Sequence, residues 1–235
     1  TISGPNSRAL LAELTDEDIS SDNFAFMDWR EMTVAGVPAR VFRISFTGEL
    51  SFEINVQANF GLHVWEQLFV HGEKYKLTPY GTETMHVLRA EKGYIIVGQD
   101  TDGSVSPVDL GMAGLVAKSK DFLGKRSLSR SDTLRSDRKQ LVGLLTEDPL
   151  LVLPEGAQGI AEAFNTPPAL TAMQGHVTSS YHSPTLGRSI ALALIKGVQA
   201  RMGETVQLAL RDGRNVNARI ASPVFYDPNS ERQYA

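Results

Sequence analysis

The chain has 235 residues, 42% apolar and 21% charged, which is the composition of an ordinary soluble globular protein and enough for one large domain or two smaller ones. A formal net charge of -4 gives no overall attraction to nucleic acid or to an anionic membrane, and neither a run of about 18 apolar residues nor a basic-then-apolar leader is present. With no span or leader, the chain reads as cytoplasmic; with no cysteine, disulfides, thiolate nucleophiles, iron–sulfur ligation and sulfur-bound zinc are excluded, and chemistry must use oxygen and nitrogen groups.

Thr1 leads directly into the turn-like Ser3-Gly4-Pro5-Asn6-Ser7, so the sequence reads as a piece of a longer chain. Leu10, Leu11 and Leu14 then predict a short helix over 5–15. Strands are expected over 34–37, 39–46 and 50–56. In the second, Phe42, Ile44 and Phe46 share a face; in the third, Leu50, Phe52, Ile54 and Val56 share one face, with Glu49, Ser51, Glu53 and Asn55 on the other. They form a hairpin about Thr47-Gly48. Matching the apolar faces favours a three-residue loop, which sets Glu53 and Phe46 on opposite faces; a two-residue turn or a bulge would bring them together.

Helices are expected over 60–72 and 80–92, the second entering after Pro79 and leaving at Gly93. Residues 118–139 carry eight basic and three acidic side chains, which reads as a solvated connector in preference to a nucleic-acid strip. Beyond it, short strands at 140–146, 175–179, 188–195, 204–210 and 215–221 suggest a small β-barrel or sandwich, with Asp212-Gly213 a strong hairpin signal. The expected organisation is α+β: a module of hairpins and helices over 1–120, a connector over 121–138, and a β-barrel over 139–235.

No two of the twenty glycines lie two apart, so the dinucleotide fingerprint G-x-G-x-x-G is missing; a Walker loop, G-x-S-x-G and H-E-x-x-H are missing too. The histidines are scattered, and neither a metal site nor a catalytic residue is assigned. Two stretches remain informative. Glu53 is either a solvated acid on a hairpin or a strand-held carboxylate whose two oxygens can accept paired N–H bonds from a planar heterocycle. Arg89 lacks a carboxylate at helical spacing, so it is either solvated or paired with a tertiary or ligand carboxylate. Glu91 lies on the row of Val87 and Leu88 and reads as a partly buried structural acid.

Gly4-Pro5-x-Ser7, Phe46-Thr47-Gly48-Glu49-x-x-x-Glu53, Leu88-Arg89-x-Glu91-x-Gly93, Gly98-x-Asp100, Gly175-His176-Val177-Thr178-Ser179 and Ser183-Pro184 together resemble the glycine-cleavage T-protein superfamily over nearly the whole chain. More closely, residues 79–94, Gly98 to Ser104, and Pro223-Val224-Phe225-Tyr226-Asp227-Pro228 resemble the alpha-subunit branch found in bacterial heterotetrameric sarcosine oxidases. That resemblance implies a folate-binding module followed by a barrel, with tetrahydrofolate as the cofactor. Glu53 would pair with the pterin edge, Phe46 would pack against the folate in place of a common tyrosine, and Arg89 would be a nearby anchor. It further implies oxidative demethylation of sarcosine to glycine, with the carbon captured as 5,10-methylenetetrahydrofolate. FAD, FMN and NAD would be bound elsewhere in a complex that includes a flavin-bearing beta subunit. The family's acid near the folate nitrogens would lie upstream of residue 1, so the fragment would not turn over alone. The alternatives are a free-standing aminomethyltransferase-like protein and a non-catalytic folate-binding or assembly module.

Overall fold

The computed structural model describes residues 1–161 and 172–235. The chain divides into two compact units, one formed by Thr1–Arg89 with Asp227–Ala235, the other by Ala90–Tyr226.

The first unit contains β1 (Ile2–Ser3), α1 (Ser7–Ala12), β2 (Trp29–Val34), β3 (Val37–Phe42), β4 (Ser51–Val56), α2 (Gly61–Gly72), α3 (Thr82–Glu91, whose last two residues belong to the second unit) and α4 (Glu231–Tyr234). Its strands form one antiparallel sheet in the order β1-β4-β3-β2. One face carries Met32, Val34, Ala39, Val41 and Phe52, which pack with Leu10 and Leu11 of α1 and with Leu14, Ile19 and Phe24. Each Leu or Phe buried there contributes about 1.5–3 kcal/mol of transfer free energy.

The segment 34–37 is a turn and not the expected strand. Val34 and Val37 are paired, and Ala35 and Gly36 between them have φ of 50° and 78°, the signature of a two-residue type I′ hairpin. The backbone N–H of Ala35 donates to the Leu14 carbonyl at 2.7 Å, and His63 Nε2 donates to the Ala35 carbonyl at 2.8 Å. The next hairpin also differs from expectation. β3 stops at Phe42, and residues 43–50 form a long connection. The register sets Phe42 opposite Glu53 and Val41 opposite Ile54. The core face of β3 is therefore Val37, Ala39 and Val41, all buried, and the face with Phe42 points away from the core. Period 2 holds, but the buried set is the odd-numbered one.

The second unit is a closed antiparallel barrel, β10-β5-β8-β7-β6-β9, built from β5 (Lys139–Thr146), β6 (Gln158–Ile160), β7 (Met173–Ser183), β8 (Arg188–Lys196), β9 (Thr205–Ala209) and β10 (Asn215–Ala221). Closure removes sheet edges. Along β8, Ala191, Ala193 and Ile195 pack into one cluster with Val142, Val206, Leu208 and Ile220, while Ile190, Leu192 and Leu194 pack into another with Ala90, Ile95, Leu110 and Phe225. Both faces of this strand are thus covered, which is why its sequence is almost continuously apolar. β6, absent from the sequence reading, joins β7 to β9 with only three residues. The Asp212-Gly213 signal marks a real hairpin: Gly213 has φ 85°, and Leu210 and Arg214 close the loop by an N–H to carbonyl bond of 2.9 Å.

Candidate functional site

β4 holds Glu53 on the sheet face opposite the core. Directly opposed residues on antiparallel strands share a face, so the pairs Trp29 with Phe42 and Phe42 with Glu53 form one transverse row across β2, β3 and β4. The Trp29 and Phe42 rings stack with centroids 6.0 Å apart at 27°. Trp29 is 53% exposed, so the row presents a flat aromatic surface beside a carboxylate. Arg40 lies over the outer Trp29 ring, 5.1 Å from its centroid, and its guanidinium donates to Glu31 at 2.9 Å. Asn55 Nδ2 donates to Glu53 Oε1 at 3.1 Å, which leaves the other oxygen of that carboxylate as an acceptor.

The connection leading into β4 is anchored at several points. Arg43 is buried, donating through Nη1 to the Phe24 carbonyl at 2.6 Å and through Nη2 to the Ala235 carbonyl at 3.1 Å; burial, then the charge of Arg8, lowers its pKa. Gly48, at φ 82°, donates its N–H to Ser45 Oγ at 2.9 Å. Arg232 of α4 pairs with Glu49. Glu49 is thus ion-paired with the C-terminal segment through one oxygen, while Glu53 stands on a regular strand.

Phe46 sits in this connection, not on β3, and is 41% exposed. Arg89 is completely buried in the last turn of α3, so its guanidinium is an interior group in this structure. Trp29 and Phe42 are additions to the sequence reading. They could have been found only by knowing that β2 begins at Trp29 and which register pairs β3 with β4. A separate apolar cleft of about 490 Å³ in the first unit is lined by Ile2, Leu10, Trp65, Leu68, Phe69 and Tyr80, and none of Glu53, Phe46 or Arg89 borders it.

Several sequence motifs prove to be structural joints of the second unit. Buried Asp100 accepts from Thr178 Oγ1 at 2.5 Å, Ser179 Oγ at 2.6 Å and the Ile96 N–H at 2.9 Å. Buried Glu91 accepts from Ser183 Oγ at 2.6 Å. Gly93 (φ 72°) would place a Cβ 2.6 Å from the Pro223 carbonyl oxygen, and Gly175 (φ 152°) would place one 1.9 Å from that of Leu194. Glycine is demanded at both positions by sterics as well as by dihedral.

Comparison with known proteins adds an independent line. Residues 1–120 match the family model described as the GCVT N-terminal domain, and residues 139–227 match the glycine cleavage T-protein C-terminal barrel domain. The chain is 50% identical over 98% of its length to the sarcosine oxidase subunit alpha of Corynebacterium sp. (strain P-1), covering 24% of that protein. It is 38% identical to the subunit alpha of Rhizobium meliloti (strain 1021), again covering 24% of it, and 32% identical to an aminomethyltransferase of Thermotoga petrophila, covering 59%; each match spans 98% of this chain. The chain thus spans about a quarter of the length of its sarcosine oxidase relatives. A crystal structure of the glycine cleavage system aminomethyltransferase T from Bartonella henselae superposes with a TM-score of 0.73 over 94% of this chain and 57% of that one, at 21% identity, which is a likeness of fold.

Proposed function

The chain belongs to the glycine cleavage T-protein family, and from that premise we propose that it is the tetrahydrofolate-binding region of a sarcosine oxidase alpha subunit. The observation that carries this reading is the 50% identity to a sarcosine oxidase alpha subunit over nearly the whole chain, against 32% to an aminomethyltransferase. In this reading the complete complex demethylates sarcosine oxidatively, other subunits hold the flavins, and the chain works in the cytoplasm. The division into residues 1–120, a connector over 121–138 and a barrel over 139–235 is part of the same proposal.

The residues fit a reduced pterin. Glu53 keeps an oxygen beyond its bond from Asn55, on a strand whose neighbours in the row are aromatic. A carboxylate accepting two N–H groups from an amidine-like edge makes charge-assisted, geometrically selective bonds. Bound tetrahydrofolate would supply the nitrogen nucleophile that captures the one-carbon unit as 5,10-methylenetetrahydrofolate. The task of this chain is orientation: Glu53 fixes the ring plane's edge, Phe46 provides an exposed apolar wall, and buried Arg89 stiffens the end of α3.

The test is product partition in the intact protein supplied with sarcosine, with and without tetrahydrofolate. Glu53→Gln should leave sarcosine consumption unchanged while shifting product from 5,10-methylenetetrahydrofolate to free formaldehyde. An unchanged partition in that variant would remove Glu53 from the site.

A further inference from the structure

In the second unit, the segment 103–106, residues from the stretch 127–139 and the end of β8 line an open cleft of about 520 Å³. Lys139, the first residue of β5, and Lys196, the last of β8, line it and are direct cross-strand partners. They share a face with Leu141 and Leu194, so their stems leave the outer apolar cluster side by side. Like charges placed directly opposite on antiparallel strands destabilise a sheet unless something neutralises them.

The neighbouring acids are already engaged. Asp109 receives Arg138 Nε at 3.1 Å and Nη2 at 2.8 Å, along with the N–H and Oγ of Ser106, each at 2.8 Å. Asp132 receives Arg138 Nη1 at 2.7 Å, and Asp137 takes Arg135 through two bonds of 2.8 and 2.6 Å. Asp102 accepts from the N–H and Oγ of Ser104. Neither lysine has an ion-pair partner among the described residues, whereas the arginines beside them do. Burial first, then the charge of Lys139, pushes the His176 pKa down against the opposing pull of Asp102.

We propose that this cleft binds a small oxyanion with at least two negative charges, a phosphate or a cluster of carboxylates, between the ammonium groups of Lys139 and Lys196. The Arg138–Asp109 pair fixes the adjoining wall, and the anion bridges two ammonium groups that the strand register sets side by side. The site is independent of the face carrying Glu53, so its failure would not touch the folate reading.

Thermal unfolding of the intact protein at low salt, with sodium phosphate or sodium citrate added against chloride of matched ionic strength, tests this. A saturable rise of about 3–6 °C at tenfold saturation is expected for at least one of the two anions and none for chloride. A larger response to phosphate assigns the site to phosphoryl groups, and a larger response to citrate assigns it to clustered carboxylates. Lys139→Gln combined with Lys196→Gln should abolish the response, while Lys118→Gln combined with Lys120→Gln, outside the cleft, should keep it. Without added anion the first pair of substitutions should raise the melting temperature by about 1–3 °C through relief of repulsion. A response that survives the Lys139 and Lys196 substitutions, a response no greater than that to chloride, or a lower melting temperature without anion would each overturn the proposal.

Discussion

Asp100 illustrates how a single buried carboxylate fixes a segment. It holds the backbone of Ile96 on one side and the hydroxyls of Thr178 and Ser179 on β7 on the other. Asp100→Asn keeps the shape but replaces one acceptor oxygen by donors facing other donors. It should cost about 2–4 kcal/mol in denaturant unfolding of the intact protein, since a buried polar group left unsatisfied carries its full desolvation penalty. Gly175→Ala should cost about 3 kcal/mol or more in the same measurement, because its Cβ would overlap the Leu194 carbonyl and its φ of 152° disfavours any L side chain. Both residues stand out in the sequence only as motif letters; their roles depend on partners some 80 and 20 residues away, which no local pattern reports. Glu53 was legible as one of two readings of a strand carboxylate, and the resemblance chose between them. Its aromatic row with Phe42 and Trp29 was not, because alternation gives the period of a strand and leaves its register open.

Elements with an unambiguous period were legible: α2 and α3 lie within two residues of expectation, and β8 was evident from its apolar run. β6 was not, since three residues cannot display alternation, and the β2–β3 hairpin was hidden because Ala35-Gly36 lacks the usual Asn-Gly signal. The end of β7 was missed for a different reason: Ser180 and Ser183 are polar yet buried, their hydroxyls bonded to the Ile190 carbonyl and Glu91. The link between α1 and α2 makes a pH prediction. Glu13, just beyond α1, is bonded first by Lys74, then by Tyr75 and His71, and its pKa falls to about 2 from an ordinary 4.5. A depressed carboxylate pKa contributes stability above the unfolded value, and that contribution is lost as pH falls through the folded value. Acid titration of the first unit, followed by hydrogen exchange in α1 and α2, should therefore show loosening as pH drops from about 4.5 to 2, and Glu13→Gln should remove this dependence while loosening the contact at neutral pH.

At the scale of the whole molecule, the barrel carries its own apolar core and the first unit carries another, with the C-terminal residues Asp227–Ala235 returned to the first. That return matters to the site, because Arg232 occupies Glu49 and the carbonyl of Ala235 receives Arg43 and Arg8. Of the two acids in the Thr47-to-Glu53 stretch, Glu49 is ion-paired with Arg232, whereas Glu53 accepts a bond from the neutral amide of Asn55. The direct measurement is the affinity of tetrahydrofolate for the intact protein, by equilibrium titration, in the parent and in Glu53→Gln and Glu49→Gln. Glu53→Gln should weaken binding about 10–100-fold, the loss of one charge-assisted bond pair, with Glu49→Gln close to the parent. Equal affinities in the two variants would contradict the assignment of the pterin edge to Glu53.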